Sequence, residues 1–111
     1  MASTSLRAAA PTTRRSALES LRSKADSFKP EDDEQFRSIL AEAQDLFGMT
    51  DGDMATEFLV SRPTVSRWAR GKNLPHCLMR RPITEWVFKE ANRQLLREQK
   101  LQRSAQLARR A

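Results

Sequence analysis

Residues 51–72 read Asp-Gly-Asp-Met-Ala-Thr-Glu-Phe-Leu-Val-Ser-Arg-Pro-Thr-Val-Ser-Arg-Trp-Ala-Arg-Gly-Lys, and this stretch predicts two short helices separated by a tight turn. Thr50 is placed to cap the first helix, and Asp53 completes an approximate capping box. Ser61 is placed to cap the second helix. Pro63 falls in the first turn of that helix, where its missing N–H costs nothing.

The apolar residues of this stretch have helical spacing on both sides of the turn. Those predicted to be buried are Met54, Ala55 and Phe58 in the first helix and Val65 and Trp68 in the second, which covers residues 62–70 and ends before Gly71. The other positions of the second helix must project elsewhere. That helix therefore combines a buried anchor with an outward face.

Charge is distributed unevenly along the 111 residues, whose formal net charge is +6. Residues 30–60 hold one base and nine acids, whereas residues 61–83 hold six bases and no acid. The flanking segments 1–29 and 84–111 each have a net charge of +4. An acid-free block next to an acidic one indicates a directed basic surface, of the kind that binds nucleic acid or another anionic surface.

Cysteine and histidine are nearly absent, which excludes several classes of function. Cys77 is the only cysteine and His76 the only histidine, so an internal disulfide and a cysteine-based zinc site are excluded. Paired groups for acid–base or nucleophilic catalysis are not visible, and we expect no enzyme, no metal and no cofactor. No apolar run approaches the roughly eighteen residues that a membrane span requires, so no membrane partner is expected.

The beginning of the chain is predicted to be a disordered basic tail over residues 1–13. The stretch up to Leu18 lacks acids, as organelle transit peptides do, but we interpret it as a basic tail. Arg7, Arg14 and Arg15 lie on this segment. They either enter a minor groove, as the arms of other DNA-binding domains do, or only solubilise the chain.

Two helices are predicted before the opening stretch, a weak one over residues 14–29 and a stronger one over residues 31–47. Four consecutive acids occupy the first turn of the second of these, where the helix dipole favours negative charge. Gly48 is a natural residue to end it. The apolar residues predicted to face the core are Leu18, Leu21, Ala25 and Phe28, followed by Phe36, Ile39, Leu40, Ala43, Leu46 and Phe47.

A long helix is predicted from Pro82 to about residue 103, and the basic end up to residue 111 is predicted either to fray or to pair with a partner. Its apolar residues are Ile83, Trp86, Val87, Ala91, Leu95 and Leu96. The helix is the leading candidate for a homodimer contact because so small a chain offers little else for its apolar side to cover. The alternative is packing onto the helix over residues 31–47. Arg80 and Arg81 are either flanking DNA contacts or a solvated pair.

The string Val-Ser-Arg-Pro-Thr-Val-Ser-Arg-Trp-Ala-Arg-Gly-Lys-Asn-Leu-Pro, residues 60–75, resembles the helix-turn-helix of the Cro and phage-lambda-repressor family. The residues that match the family's buried positions are Met54, Phe58, Val60, Val65 and Trp68, with Ala55 at the close helix crossing. The resemblance covers residues 31–75. It implies an all-α, lambda-repressor-like bundle of about five helices, in which residues 30–81 form the DNA-binding domain.

Three features depart from the family pattern. Leu59 stands where the family has a glycine, so a left-handed turn there would be strained by roughly 1–2 kcal/mol. Ala69 stands where the family often has a glutamate, and the first-helix partner position holds the uncharged Gln44, so this pair is replaced as a unit. The long helix from Pro82 differs from the family's short closing helices.

The outward face of the second helix supplies the candidate DNA contacts. The predicted base-reading residues are Arg62, Pro63, Ser66 and Arg67. An arginine can donate two hydrogen bonds to guanine, whereas a proline offers only apolar contact, for instance to a thymine methyl. The predicted phosphate-binding residues are Ser61 and Thr64 at the helix N-terminus and Arg70, Lys72 and Asn73 after it, where the resembled family grips the backbone.

Two classes of function are compatible with these residues. The first is a sequence-specific regulator of transcription that binds double-stranded DNA. We expect it to be encoded by a bacterium or a phage and to act in the bacterial cytoplasm. We expect a repressor that binds an inverted repeat as a homodimer. The second is a protein-interaction module, an antitoxin or antiactivator, that docks a partner through residues 31–47 or 82–103. An antitoxin that represses its own operon would combine both.

Overall fold

The computed structural model describes residues 11–110, which form five α-helices and no strand. The helices are α1 (Pro11–Asp26), α2 (Asp33–Phe47), α3 (Asp51–Phe58), α4 (Arg62–Ala69) and α5 (Cys77–Arg110). A small all-helical bundle with a long C-terminal helix is therefore confirmed for this range. Most of the predicted tail lies outside the described residues. Its last part, residues 11–13, is helical, so the predicted boundary at residue 13 is wrong.

The short helices begin and end where capping chemistry placed their boundaries. The hydroxyl of Thr50 accepts the N–H of Asp53 at 3.1 Å, and the Asp53 carboxylate accepts the N–H of Thr50 at 2.9 Å, which completes the capping box. Ser61 caps α4, and Pro63 lies in its first turn. Gly48 ends α2 in the left-handed conformation, with φ 66°. Local sequence signals thus determine these boundaries.

All five helices contribute side chains to the core or its border. Trp68 of α4 packs edge-on against Phe36 of α2, with 6.2 Å between ring centroids. Phe58 of α3 packs edge-on against Trp86 of α5 at 5.3 Å. The buried apolar residues are Leu18, Leu21, Ala25, Phe28, Phe36, Ile39, Leu40, Ala43, Met54, Ala55, Val65, Trp68, Ile83, Val87, Ala91 and Leu95. These contacts fix α4 by its inner face.

Two residues that the sequence placed in the core are exposed. Val60 is 36% exposed because it lies in the segment between α3 and α4 rather than on a helix face. Leu96 is 54% exposed because its neighbour Leu95 takes the inward position on α5. Their assignment as buried residues is wrong.

Helix α1 covers the apolar side of α5, and α2 packs against both of these helices. Leu18 is fully buried in a cluster with Ala91 and Leu95. Polar contacts border this seam, including a 2.7 Å hydrogen bond from Arg22 to Asn92. The expectation that the chain offers little for the apolar side of the long helix to cover is therefore wrong, since this side packs against α1 and, as the alternative had it, also against α2.

The long helix begins at Cys77, five residues before the start that Pro82 suggested. Pro82 lacks the N–H that would bond to the carbonyl of Leu78. The first turn has other anchors, since His76 Nδ1 accepts the N–H of Leu78 at 3.2 Å and the His76 carbonyl accepts that of Met79 at 2.8 Å. One missing bond near the helix start is tolerated, so Pro82 does not mark the boundary.

The connection between α3 and α4 is strained at one residue. Leu59 ends α3 in the left-handed region, with φ 58° and ψ 43°, and its side chain is 91% exposed. Its N–H is directed at the carbonyls of Ala55 and Thr56. A leucine in this conformation costs roughly 1 kcal/mol or more, which glycine avoids. Because the side chain is exposed, no burial offsets this cost.

We expect Leu59→Gly to stabilise the protein by about 1 kcal/mol, because relief of backbone strain outweighs the added freedom of the unfolded chain. For a domain of this size the thermal midpoint should rise by roughly 4–8 °C. Circular dichroism melts measure the change. Leu59→Val is the matched control and should destabilise, since a β-branched residue fits the left-handed region worst. A lower midpoint for Leu59→Gly would contradict the assigned strain.

Candidate nucleic-acid interface

Helix α4 is held by two buried side chains and presents its other residues outward. Val65 and Trp68 are 3% and 4% exposed, respectively. Arg62 and Arg67 are exposed, and the helix-start residue Pro63 is exposed beside them. The predicted base-reading side chains therefore lie on the outward face, with Ser66 half-buried at its border.

The two hydroxyls at the N-terminus of α4 are engaged with each other. Ser61 Oγ lies 2.7 Å from Thr64 Oγ1 and accepts the N–H of Thr64 at 3.3 Å. Ser61 is exposed, and Thr64 is half-buried. The primary role of this pair is to cap the helix. Only one of the two hydroxyls donates within the pair, so the O–H of the other remains free to donate to a phosphate oxygen.

The chain turns sharply after α4 and keeps its basic residues exposed. Gly71 and Asn73 have φ angles of 76° and 51°. The carbonyl of Arg67 accepts the N–H of Lys72 at 2.8 Å, which closes the turn. Arg70 donates to Ser66 Oγ at 3.3 Å, along the outward side of the helix. Three of the predicted phosphate-binding residues, Arg70, Lys72 and Asn73, thus follow directly on the C-terminus of α4.

Four exposed bases of this region make up what we call the basic surface, namely Arg62, Arg67, Arg70 and Lys72. None of them forms an ion pair with a carboxylate among residues 11–110. Six of the other bases in this range do so, and these pairs are Arg14–Glu98, Arg15–Glu19, Lys24–Glu42, Arg37–Glu34, Arg80–Asp33 and Arg93–Glu90. The positive charge of the basic surface is therefore available to an external anion.

Arg37 of α2 supports this surface, although sequence reasoning did not assign it a role. Its guanidinium donates to the carbonyl of Ala69 at 3.3 Å and to Glu34 at 3.2 Å. A Cβ on Gly71 would lie 3.1 Å from the guanidinium carbon. Arg37 is the only base within the acidic segment 30–60, and that isolation was the available signal. A cation at the carbonyl end of α4 also complements the helix dipole.

Gln44, the uncharged residue at the family's first-helix partner position, has a contact of its own. Its Nε2 donates to Asp51 Oδ1 at 2.7 Å, so Gln44 links α2 to the first turn of α3. Arg37 makes the polar contact between α2 and the end of α4, through the carbonyl of Ala69.

Arg80 and Arg81 have opposite environments. The prediction of a flanking DNA contact is wrong for Arg80 and stays a prediction for Arg81. The Arg80 side chain is 7% exposed and lies 2.8 Å from Asp33 Oδ1. It also donates to the carbonyls of Pro30 and Pro75, each at 2.8 Å, and its guanidinium carbon is 5.6 Å from the centre of the Phe36 ring. All its charge is used inside the bundle, so Arg80 is not a phosphate contact. Arg81 is exposed.

The arginines predicted to enter a minor groove are placed differently. Arg14 contacts Glu98 at 3.1 Å, the carbonyl of Leu46 at 2.8 Å and the amide of Gln94. Arg15 lies 3.3 Å from the amide oxygen of Gln102. Arg14 therefore ties α1 to α2 and α5 and is not part of a free arm. Arg7 lies outside the described residues.

Comparison of the chain with protein-family models, with curated proteins and with solved structures found no match. Among residues 11–110, no helix has the length and apolar character needed to cross a bilayer. In the same range, no group of three or more histidine, cysteine or acidic side chains is arranged to hold a metal ion.

Proposed function

We propose that the protein is a sequence-specific regulator of transcription that binds double-stranded DNA, with α3 and α4 as a lambda-repressor-like helix-turn-helix. The observation that carries the proposal is the basic surface, on which four exposed bases without carboxylate partners lie on and just after a helix anchored by Val65 and Trp68. A short helix with an outward basic face has dimensions that fit the major groove of DNA.

In this proposal α4 enters the major groove and the turn after it holds the DNA backbone. Arg62 and Arg67 donate to guanine O6 and N7, and Pro63 contacts a thymine methyl. Ser66 reads a base when Arg70 swings from its hydroxyl to a phosphate. The phosphate contacts are Ser61, Thr64, Arg70, Lys72 and Asn73, with Arg81 at the flank. Arg37 holds the end of α4 but does not touch DNA.

Selection of bound sites from random double-stranded DNA tests the proposal. We expect a defined motif, and an inverted repeat with half-sites about 34 Å apart would indicate a homodimer. Occupation of such a site would block a promoter, which is the expected mechanism of repression. Recovery of unbiased sequences would contradict sequence-specific recognition. No retention of DNA at low salt would contradict DNA binding altogether.

Affinity for the selected site should fall steeply with salt. If about four phosphates are neutralised, raising salt from ~50 to ~200 mM should weaken binding about 100-fold, because each contact releases condensed counterions. Fluorescence anisotropy of a labelled duplex over this range gives the slope. A flat dependence would contradict the phosphate contacts assigned to the basic surface.

The second candidate function is a protein-interaction module, and one observation favours it. The C-terminal part of α5 extends beyond the core with three exposed leucines. This feature is separate from the basic surface, so a DNA-binding regulator that also docks a protein is consistent with both.

A further inference from the structure

The C-terminal part of α5 leaves the core after Leu95. From Leu96 to residue 109, every side chain except the half-buried Glu98 is exposed. Leu96, Leu101 and Leu107 are 54%, 64% and 59% exposed. Exposed apolar side chains that share a face of a projecting helix can serve as anchors for a partner helix.

Two of these leucines share one face of the helix with two bases. Leu96, Lys100, Arg103 and Leu107 are separated by four, three and four residues, which places them in line along α5. We call this line the α5 face. Arg93, Arg97 and Gln99 lie beside this line on the same helix.

The acids of α5 near this region are directed elsewhere. Glu98 pairs with Arg14 of α1 at 3.1 Å. Burial raises the pKa of the Glu90 carboxyl. The opposing effects are larger together, namely hydrogen bonds from Arg93 and Gln94 and the charges of Arg93 and Arg97, so the pKa lies below its usual value. Glu90 thus remains ionised and engages Arg93. Lys100 and Arg103 form no ion pair within residues 11–110.

We propose that the α5 face docks an acidic amphipathic helix of another protein. Leu96 and Leu107 would pack against two apolar residues of that helix, and carboxylates between them would pair with Lys100 and Arg103. This is helix-on-helix recognition by apolar anchors, with charges that select the partner. Nucleic acid is the less suited ligand, because the leucines at both ends of the face cannot donate hydrogen bonds to phosphates.

A second copy of the chain does not fit the α5 face. If the α5 faces of two copies pair with their helices parallel, Lys100 lies opposite Lys100 and Arg103 opposite Arg103. If the helices are antiparallel, Lys100 of one copy lies opposite Arg103 of the other. Both arrangements oppose like charges. The acid-rich helix α2 is no substitute, since its large apolar residues are buried or half-buried. Residues 1–10 contain one base and no acid. The partner is therefore a different protein.

A synthetic helical peptide tests the proposal on the full chain. It carries two leucines eleven residues apart, with glutamates four and seven residues after the first leucine. Fluorescence anisotropy should detect binding, and the Lys100→Glu, Arg103→Glu double variant should lose about tenfold or more in affinity. The same variant should instead bind a peptide with lysines in place of the two glutamates. Circular dichroism checks that the helix content is kept.

Arg109→Glu is the matched control for Lys100→Glu, because it makes the same charge change away from the α5 face. We expect it to leave peptide affinity within about twofold. An equal loss in both single variants would overturn the proposal, since it would indicate general charge attraction. If the double variant is overly destabilised, Lys100→Gln with Arg103→Gln replaces it and should also weaken binding.

Two further measurements separate other ligands from the proposed one. The charge-reversed double variant should bind the selected DNA site as the parent protein does, because the α5 face is distinct from the basic surface. A large loss of DNA affinity, or attachment to vesicles containing phosphatidylserine that only the parent protein shows, would overturn the proposal. Peptide binding does not depend on the proposed DNA function, so the two can fail separately.

Discussion

The double variant Arg62→Ala, Arg67→Ala is expected to bind its selected DNA site roughly 30-fold to 10⁴-fold more weakly than the parent protein. Each bidentate arginine–guanine contact contributes about 1–3 kcal/mol of discrimination, and the two contacts lie one turn or more apart on α4. Arg67→Ala alone should lose roughly 10-fold to 100-fold. Gel-shift titrations with the selected duplex and with an unrelated duplex measure the two affinities.

The matched control is Lys29→Ala with Lys89→Ala, which removes two exposed bases outside the basic surface. This variant has the same net charge as the arginine double variant, so it should reproduce any loss due to overall charge alone. Both double variants should melt as the parent does, since all four side chains are exposed. Equal losses of affinity in the two would contradict base reading by α4.

Lys72→Ala should instead weaken all duplexes alike and lower the salt slope by about one.

Arg80→Ala is expected to destabilise the protein by about 2–4 kcal/mol, the largest effect on folding among the charged residues. Its guanidinium joins Asp33 and the carbonyls of Pro30 and Pro75 while it lies over Phe36. Alanine would leave these carbonyls without their donor and open a cavity beside the core. Asp33 is 68% exposed, so its ion pair contributes little of the total.

Thermal and urea denaturation measure this loss, and the neighbouring arginine supplies the control. Arg81→Ala should change stability by less than about 0.5 kcal/mol, because Arg81 is exposed. Arg80→Lys should recover only part of the loss, since a lysine cannot span the separate acceptors as a planar guanidinium does. Equal stabilities of Arg80→Ala and Arg81→Ala would contradict the role assigned to Arg80.

The local sequence predicted the parts of the fold that depend on neighbouring residues. Thr50, Asp53 and Ser61 cap helices by hydrogen bonds within three residues, so they could be recognised without tertiary information. The spacing of Val65 and Trp68 correctly predicted which side of α4 is buried. That result also assigned the outward positions of Arg62 and Arg67, on which the candidate interface depends.

Contacts between distant residues were not predictable in the same way. Arg80 and Arg81 are adjacent and chemically identical, yet only one reaches Pro30, 50 positions earlier in the chain. The role of Arg37 depends on the approach of Ala69 and Gly71, 32 and 34 positions away. Pro82 misled for a different, local reason, since hydrogen bonds to His76, six residues before the proline, keep the start of α5 helical.

The sequence by itself determined that the chain is helical, where its short helices start, which face of α4 is buried and where positive charge is concentrated. These properties follow from periodicity, capping and composition, which act over a few residues. Only the tertiary structure decided that α1 covers α5, which bases are neutralised inside the bundle and which leucines remain exposed beyond it. These outcomes depend on which distant side chains meet, because an ion pair or a buried face requires a partner that sequence spacing does not specify.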